Sequence, residues 1–181
     1  MNIFRMKSIR VSIFAVAIAT FAIGAFGQNG ERRRPQLPAG CENIAVAANE
    51  RLAFKLYAEG VQVYTWNGTA WTLVAPIADL YAAPWLRLKV GIHYAGPHWE
   101  STTGSLVRGS NPVRCDPDPN SISWLRLDVS AASRLGLFGG VTRIQRLNTS
   151  GGKAPVQPGS IVGEEVHIPY TTEYYFYRTE D

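Results

Sequence analysis

The chain has no apolar stripe of helical period longer than two turns, which excludes a helical bundle and the strand–helix alternation of a parallel sheet. It has no G-x-G-x-x-G after a strand, so nothing in it reads as a site for NAD. It has no G-x-S-x-G either, and Gly104-Ser105 lacks the strand-to-helix elbow of a serine nucleophile. Its longest apolar run, Val11 to Ile23, is 13 residues, short of the roughly 20 that cross a bilayer. Cysteine is scarce: Cys41 and Cys115 are the only two, and histidine occurs three times.

What is present begins with an export pattern. Arg5, Lys7 and Arg10 precede the apolar run, and Ala25-Phe26-Gly27 fits a small-x-small cleavage site, so residues 1–27 read as a signal peptide and the mature chain starts near Gln28. Cleavage removes three of the 18 basic residues and none of the 14 acidic ones, which leaves 15 against 14. The basic balance belongs to the tails, and no basic face for nucleic acid is implied. Residues 28–38, with Arg32, Arg33, Arg34 and two prolines, read as a disordered Arg-rich leader to a single β domain over 39–181. The expected setting is secreted or periplasmic, with no membrane span in the mature chain. In such an oxidising compartment Cys41 and Cys115 are expected to pair.

From Arg51 onward the chain is a series of short alternating segments. Leu52, Phe54, Leu56 and Ala58 share one face, opposite Arg51, Lys55 and Tyr57. Val61–Trp66 is a second strand, and Asn67-Gly68 marks a hairpin into Ala70–Ala75. Leu88, Val90, Ile92 and Tyr94 line one face of a further strand. In Ile122–Val129 the residues Leu125, Leu127 and Val129 point inward, with Arg126 and Asp128 outward. Tyr174, Tyr175, Phe176 and Tyr177 must alternate between the two sides of the last strand. The fold class is all-β, an antiparallel sandwich or closed barrel of about nine short strands.

Three groups of residues are candidates for chemistry. Gly91–Gly109 carries His93, His98, Trp99 and Glu100 around a glycine-rich turn, and His93 with Glu100 is the candidate acid–base pair. The His spacing matches no metal motif, so no metal is expected; the bland reading of His93 is a half-buried ring bonded to a backbone carbonyl. Tyr64 and Trp66, with Trp71 across the turn, form either a stacking platform for a ligand or hairpin packing. Arg146, on the same face as Ile144, is expected to pair with Glu100 in a polar cluster with Asn148 and Tyr170. The ligand-binding candidates are thus Tyr64, Trp66, Trp99, Glu100, Arg146, Asn148 and Tyr170.

Three spaced motifs also carry a resemblance: His93-Tyr94-Ala95-Gly96-Pro97-His98-Trp99-Glu100, then Ile144 to Pro155, then Pro169 to Tyr177. Over about Cys41 to Arg178 the sequence resembles the secreted bacterial and fungal family known as domain of unknown function 3455. The resemblance implies a fold and a secreted location, since the family has no established activity. Some fungal relatives bear a malate dehydrogenase label, which a chain without a dinucleotide motif does not inherit. The family usually has Thr where His98 stands, which weakens any mechanism that needs His98. The reading is therefore a secreted or periplasmic β domain of unknown function that binds a glycan or small molecule without transforming it, with no cofactor. A hydrolase or lyase using Glu100 and His93, and a structural envelope protein, are the alternatives.

Overall fold

The computed structural model describes residues 34–85 and 87–180. The expected signal peptide, 1–27, and the part of the leader before Arg34 lie outside them. After a single turn of 3-10 helix (Glu42–Ile44) come eight strands: β1 (Glu50–Trp66), β2 (Trp71–Tyr81), β3 (Lys89–Tyr94), β4 (His98–Ser101), β5 (Leu106–Cys115), β6 (Trp124–Ala132), β7 (Arg143–Gly151) and β8 (Glu165–Thr179). Each pairs antiparallel with the next, and β1 also pairs with β8, so the sheet closes into a barrel. Of the two architectures open to the sequence, the closed one is found, and every strand has a neighbour on both sides over part of its length.

The structure has eight strands where about nine were expected, and two pairs of the expected segments are continuous. Arg51–Ala58 runs on into Val61–Trp66, and Glu165–Tyr170 into Glu173–Arg178. Gly60 is no break. A Cβ there would stand 2.1 Å from the Ile77 carbonyl oxygen and 2.5 Å from the Ala78 Cα, so the bare backbone lets β2 close onto β1 without interrupting either strand.

Period-two alternation fills the interior. Phe54, Leu56 and Ala58 of β1, Leu125, Leu127 and Val129 of β6, and Tyr174 and Phe176 of β8 all join the core inside the barrel. β3 departs from the simple rule: Ile92, on its apolar face, is exposed, and the inward positions are Gly91 and His93. One end of the lumen is solid. Residues 133–142, between β6 and β7, fold Leu137, Phe138 and Val141 into it, and the Phe138 ring lies 5.9 Å from Phe54 and 5.1 Å from Phe176. Beside this plug the buried Glu50 carboxylate accepts from Arg143 Nε at 3.0 Å, and Arg143 also pairs with Asp128. The opposite end is formed by the β1–β2, β3–β4, β5–β6 and β7–β8 connections.

A second, outer cluster explains why β8 is aromatic on both sides. Tyr175, Tyr177 and Leu147 are covered by Cys41 and Ile44, with Leu37 and Val46 packed alongside. The covering strap is held by polar bonds as well: Gln145 Nε2 donates to the Ile44 carbonyl at 2.6 Å, and Arg126 donates to that of Ala45 at 3.0 Å. The Cys41–Cys115 disulfide forms as expected, with Cα atoms 5.5 Å apart. Part of the segment expected as a disordered leader, 28–38, falls among the described residues. Arg34 donates to the carbonyls of Ala47 at 2.9 Å and Ala48 at 2.8 Å, so the segment from Arg34 onward lies along the strap.

Candidate functional site

Between the phenylalanine plug and the loops at the other end, the lumen contains a cavity of about 640 Å³, within the 300–1,000 Å³ of small-molecule sites. Eight strands give a bore that side chains can fill or that can hold one small ligand. Here the first applies at the plugged end and the second toward the loops. The buried wall is made by Gln62 of β1, His93 of β3, Trp99 of β4, Leu127 of β6 and Tyr174 of β8, with half-buried Arg146 of β7 beside them. Toward solvent the wall turns apolar, with Leu73, Val74, Pro97 and Pro112, and the rim carries Arg114, Asp116 and Lys153.

The β3–β4 hairpin decides which candidates meet. Its register sets His93 opposite Trp99 and Ile92 opposite Glu100, so the members of each pair share a face. The His93 ring stacks on Trp99 with centroids 4.4 Å apart and planes 14° from parallel, and meets Tyr174 edge-on at 5.1 Å. Its Nδ1 lies 2.7 Å from the His98 carbonyl oxygen. A carbonyl only accepts, so Nδ1 carries the proton. Burial lowers the pKa of His93 to about 3, with the Arg146 charge and His98 adding to the effect and the bond to the His98 carbonyl opposing it. The ring is neutral at pH 7, and its Nε2 is an acceptor on the cavity side of the barrel.

This burial predicts a pH dependence. Unfolded, His93 takes up a proton as pH falls through 6.5; folded, it does not until about 3. The unfolded state binds the extra proton across that window, so stability falls as pH falls. From pH 7 to pH 5 the loss through this residue is about 2 kcal/mol. Urea unfolding at the two pH values should show it, and His93→Phe, which keeps the stack on Trp99, should flatten the difference. An equal pH slope in the variant would contradict the assignment.

Several sequence expectations are corrected at this site. Glu100 faces outward, where it accepts from the Tyr94 hydroxyl at 3.0 Å, so His93 and Glu100 lie on opposite faces of the sheet and do not form an acid–base pair. Arg146 does not pair with Glu100: its Nε and Nη2 both donate to the Ser123 carbonyl, at 3.1 and 2.8 Å. Asn148, held at φ 52° in the β7 bulge, is exposed and donates to Glu173 at 2.9 Å. Trp66 packs against Trp71 at 5.4 Å and under Gly159, and Trp71 Nε1 donates to the Gln157 carbonyl at 2.9 Å, which is hairpin packing. His98 turns back onto the Ala95 carbonyl at 2.7 Å. Among the described residues no group of three or more His, Cys, Asp or Glu is placed to hold a metal.

Four of the expected residues do come together. Tyr64, His93, Trp99 and Arg146 line the cavity, and the Tyr64 hydroxyl donates to the Gly152 carbonyl at 2.7 Å. Tyr170 is buried just behind the wall, its phenol pushed far above the usual range by burial first and by the neighbouring Tyr174 hydroxyl second, with Arg146 opposing both. Gln62 and Tyr174 were not among the sequence candidates. Gln62 could have been found by parity: it stands two residues before Tyr64 on the face that carries Leu56 and Ala58, where an amide is out of place.

Fold and site together define a closed antiparallel β-barrel, plugged at one end and hollow at the other. The chain belongs to the family described as Protein of unknown function (DUF3455), whose model matches residues 47–178. No curated protein and no solved structure matches it. Among the described residues no helix is long and apolar enough to cross a membrane.

Proposed function

We propose that the barrel is a binding module that holds one small molecule in its lumen without transforming it, and that it works after export. The observation that carries this reading is the poorly satisfied polarity of the cavity wall. Trp99 Nε1 is buried on that wall with no hydrogen-bond partner among the described residues, and Gln62 Nε2 and the Tyr174 hydroxyl form no well-aligned bond there although Tyr170 lies close to both. Burying such groups unpaired costs about 1–3 kcal/mol each. A fold selected for stability alone would have apolar residues there, as it has at the plugged end. The disulfide and the disulfide-held strap fit an exported protein, and the hydrolase or lyase alternative loses its particular acid–base pair, since His93 and Glu100 face opposite sides of the sheet.

The test is titration of the domain 28–181 with N-phenyl-1-naphthylamine, a neutral dye that brightens in apolar surroundings. The expected result is saturable binding of one dye per barrel, weakened at least tenfold in Leu125→Trp, which grows a ring into the cavity from β6. Circular dichroism confirms that the variant folds. Absence of saturable binding, or equal binding by the variant, would end the lumen reading.

A further inference from the structure

Resting on that lumen reading, we infer that the ligand is an amphipathic carboxylate, inserted acid end first, with Arg146 as its anchor. Glycans and neutral molecules fit the same volume, so the choice rests on the chemistry of the wall.

Charge comes first. Arg146, Arg114 and Lys153 line the cavity against the single carboxylate of Asp116, and Asp116 sits at the exposed rim. The half-buried Arg146 guanidinium has no acidic partner among the described residues. It spends Nε and Nη2 on one carbonyl oxygen, that of Ser123, while Nη1 takes no protein acceptor there. A partly desolvated cation of this kind is satisfied by an anion, and the planar fork of a guanidinium matches the two oxygens of a carboxylate.

Donor balance points the same way. The groups at the inner end without a well-aligned partner are an indole N–H, an amide NH2 and the hydroxyls of Tyr170 and Tyr174, in side chains no more than 2% exposed, with Tyr170 close to both Gln62 and Tyr174 and the Arg146 guanidinium close to Tyr174. Every one of them can donate, and no carboxylate stands among them. A sugar brings as many O–H donors as acceptors and would need acceptors that this wall offers only in its tyrosine oxygens, the Gln62 carbonyl and His93 Nε2. A carboxylate only accepts. The exclusion of a cationic ligand follows from the same three positive side chains.

The apolar half of the wall sets the rest of the molecule. Leu73 and Val74 are 50% and 54% exposed at the mouth, with Pro97, Pro112 and Leu125 completing that side. Val74 is the extra residue of a β-bulge opposite Val63 and Tyr64, which places two consecutive apolar side chains at the opening. An apolar body emerging past them covers surface that water now meets.

The experiment is competition against the naphthylamine dye by three molecules with one body and different heads: 4-phenylbutyrate, 4-phenylbutan-1-ol and 4-phenylbutan-1-amine. On the unaltered protein the acid should compete about tenfold better than the alcohol, the gain of a charge-assisted hydrogen bond over a neutral one, and the amine should not compete. In Arg146→Gln the acid and the alcohol should fall within about threefold of each other, with Arg146→Lys in between. Equal competition by acid and alcohol on the unaltered protein overturns the carboxylate inference and leaves the lumen reading standing. So does failure of all three to displace a dye that does bind. Failure of the dye itself removes both. If Arg146→Gln does not fold, the comparison of heads on the unaltered protein decides alone.

Discussion

Replacing Cys41 and Cys115 together by serine lowers the stability of the domain by about 4 kcal/mol in the chain-entropy account of a crosslink. The two residues are 74 positions apart, so the unfolded chain regains a long loop's freedom when the bond is absent. The strap adds a local effect. Without its tether at Cys115, the segment through Ile44 is held over Leu147, Tyr175 and Tyr177 by packing, by the bonds from Gln145 and Arg126, and by the bond from Asn43 Nδ2 to the Arg114 carbonyl at 2.8 Å. In urea the midpoint should drop by about 2 M at the slope usual for a domain of this size. A shift below about 0.5 M would show that the outer cluster holds the strap unaided. Alkylation of unfolded, unreduced protein should label neither cysteine.

Phe176→Ala should cost about 3–5 kcal/mol, and more than any surface change in β8. Phe176 is fully buried at the plugged end, stacked on Phe54 with centroids 4.8 Å apart, tilted against Phe138 at 5.1 Å and edge-on to Trp99 at 6.2 Å. These rings come from β1, the β6–β7 connection and β4. Their shared partner therefore ties three parts of the chain that no local contact joins, and its removal leaves a void that the closed sheet cannot collapse to fill. The melting temperature should fall by about 10 °C. A loss under about 1 kcal/mol would mean that this end is loosely filled.

Much of the barrel was legible residue by residue. The alternation of Leu125, Leu127 and Val129 with Arg126 and Asp128 placed β6 correctly, and the hairpin at Asn67-Gly68 and the two-sided run Tyr174–Tyr177 were found as expected. Closure was not legible, because it depends on β1 meeting β8 across more than a hundred residues of sequence, a contact that no local pattern encodes. The continuity of β1 through Gly60 was not legible for a related reason. The absent side chain that reads as a strand breaker is there to admit a neighbouring backbone. At the site, residue type identified His93 and Arg146, but partnership did not follow from type. The three-residue turn Ala95-Gly96-Pro97 sets the β3–β4 register, and that register, not proximity in sequence, sends Trp99 inward and Glu100 outward.

The strap also gives the molecule a direction. Arg34 reaches the carbonyls beside Glu50, and the Glu180 amide donates to the Asn49 carbonyl at 2.9 Å, so the first and last described residues leave from the plugged base. The cavity opens at the other end, among the loops. A tether attached through either terminus would hold the domain as a cup on a stem, its opening turned away from the support. Immobilising it by an end tag should therefore leave access to the lumen unobstructed, whereas coupling through Lys153 at the rim should not.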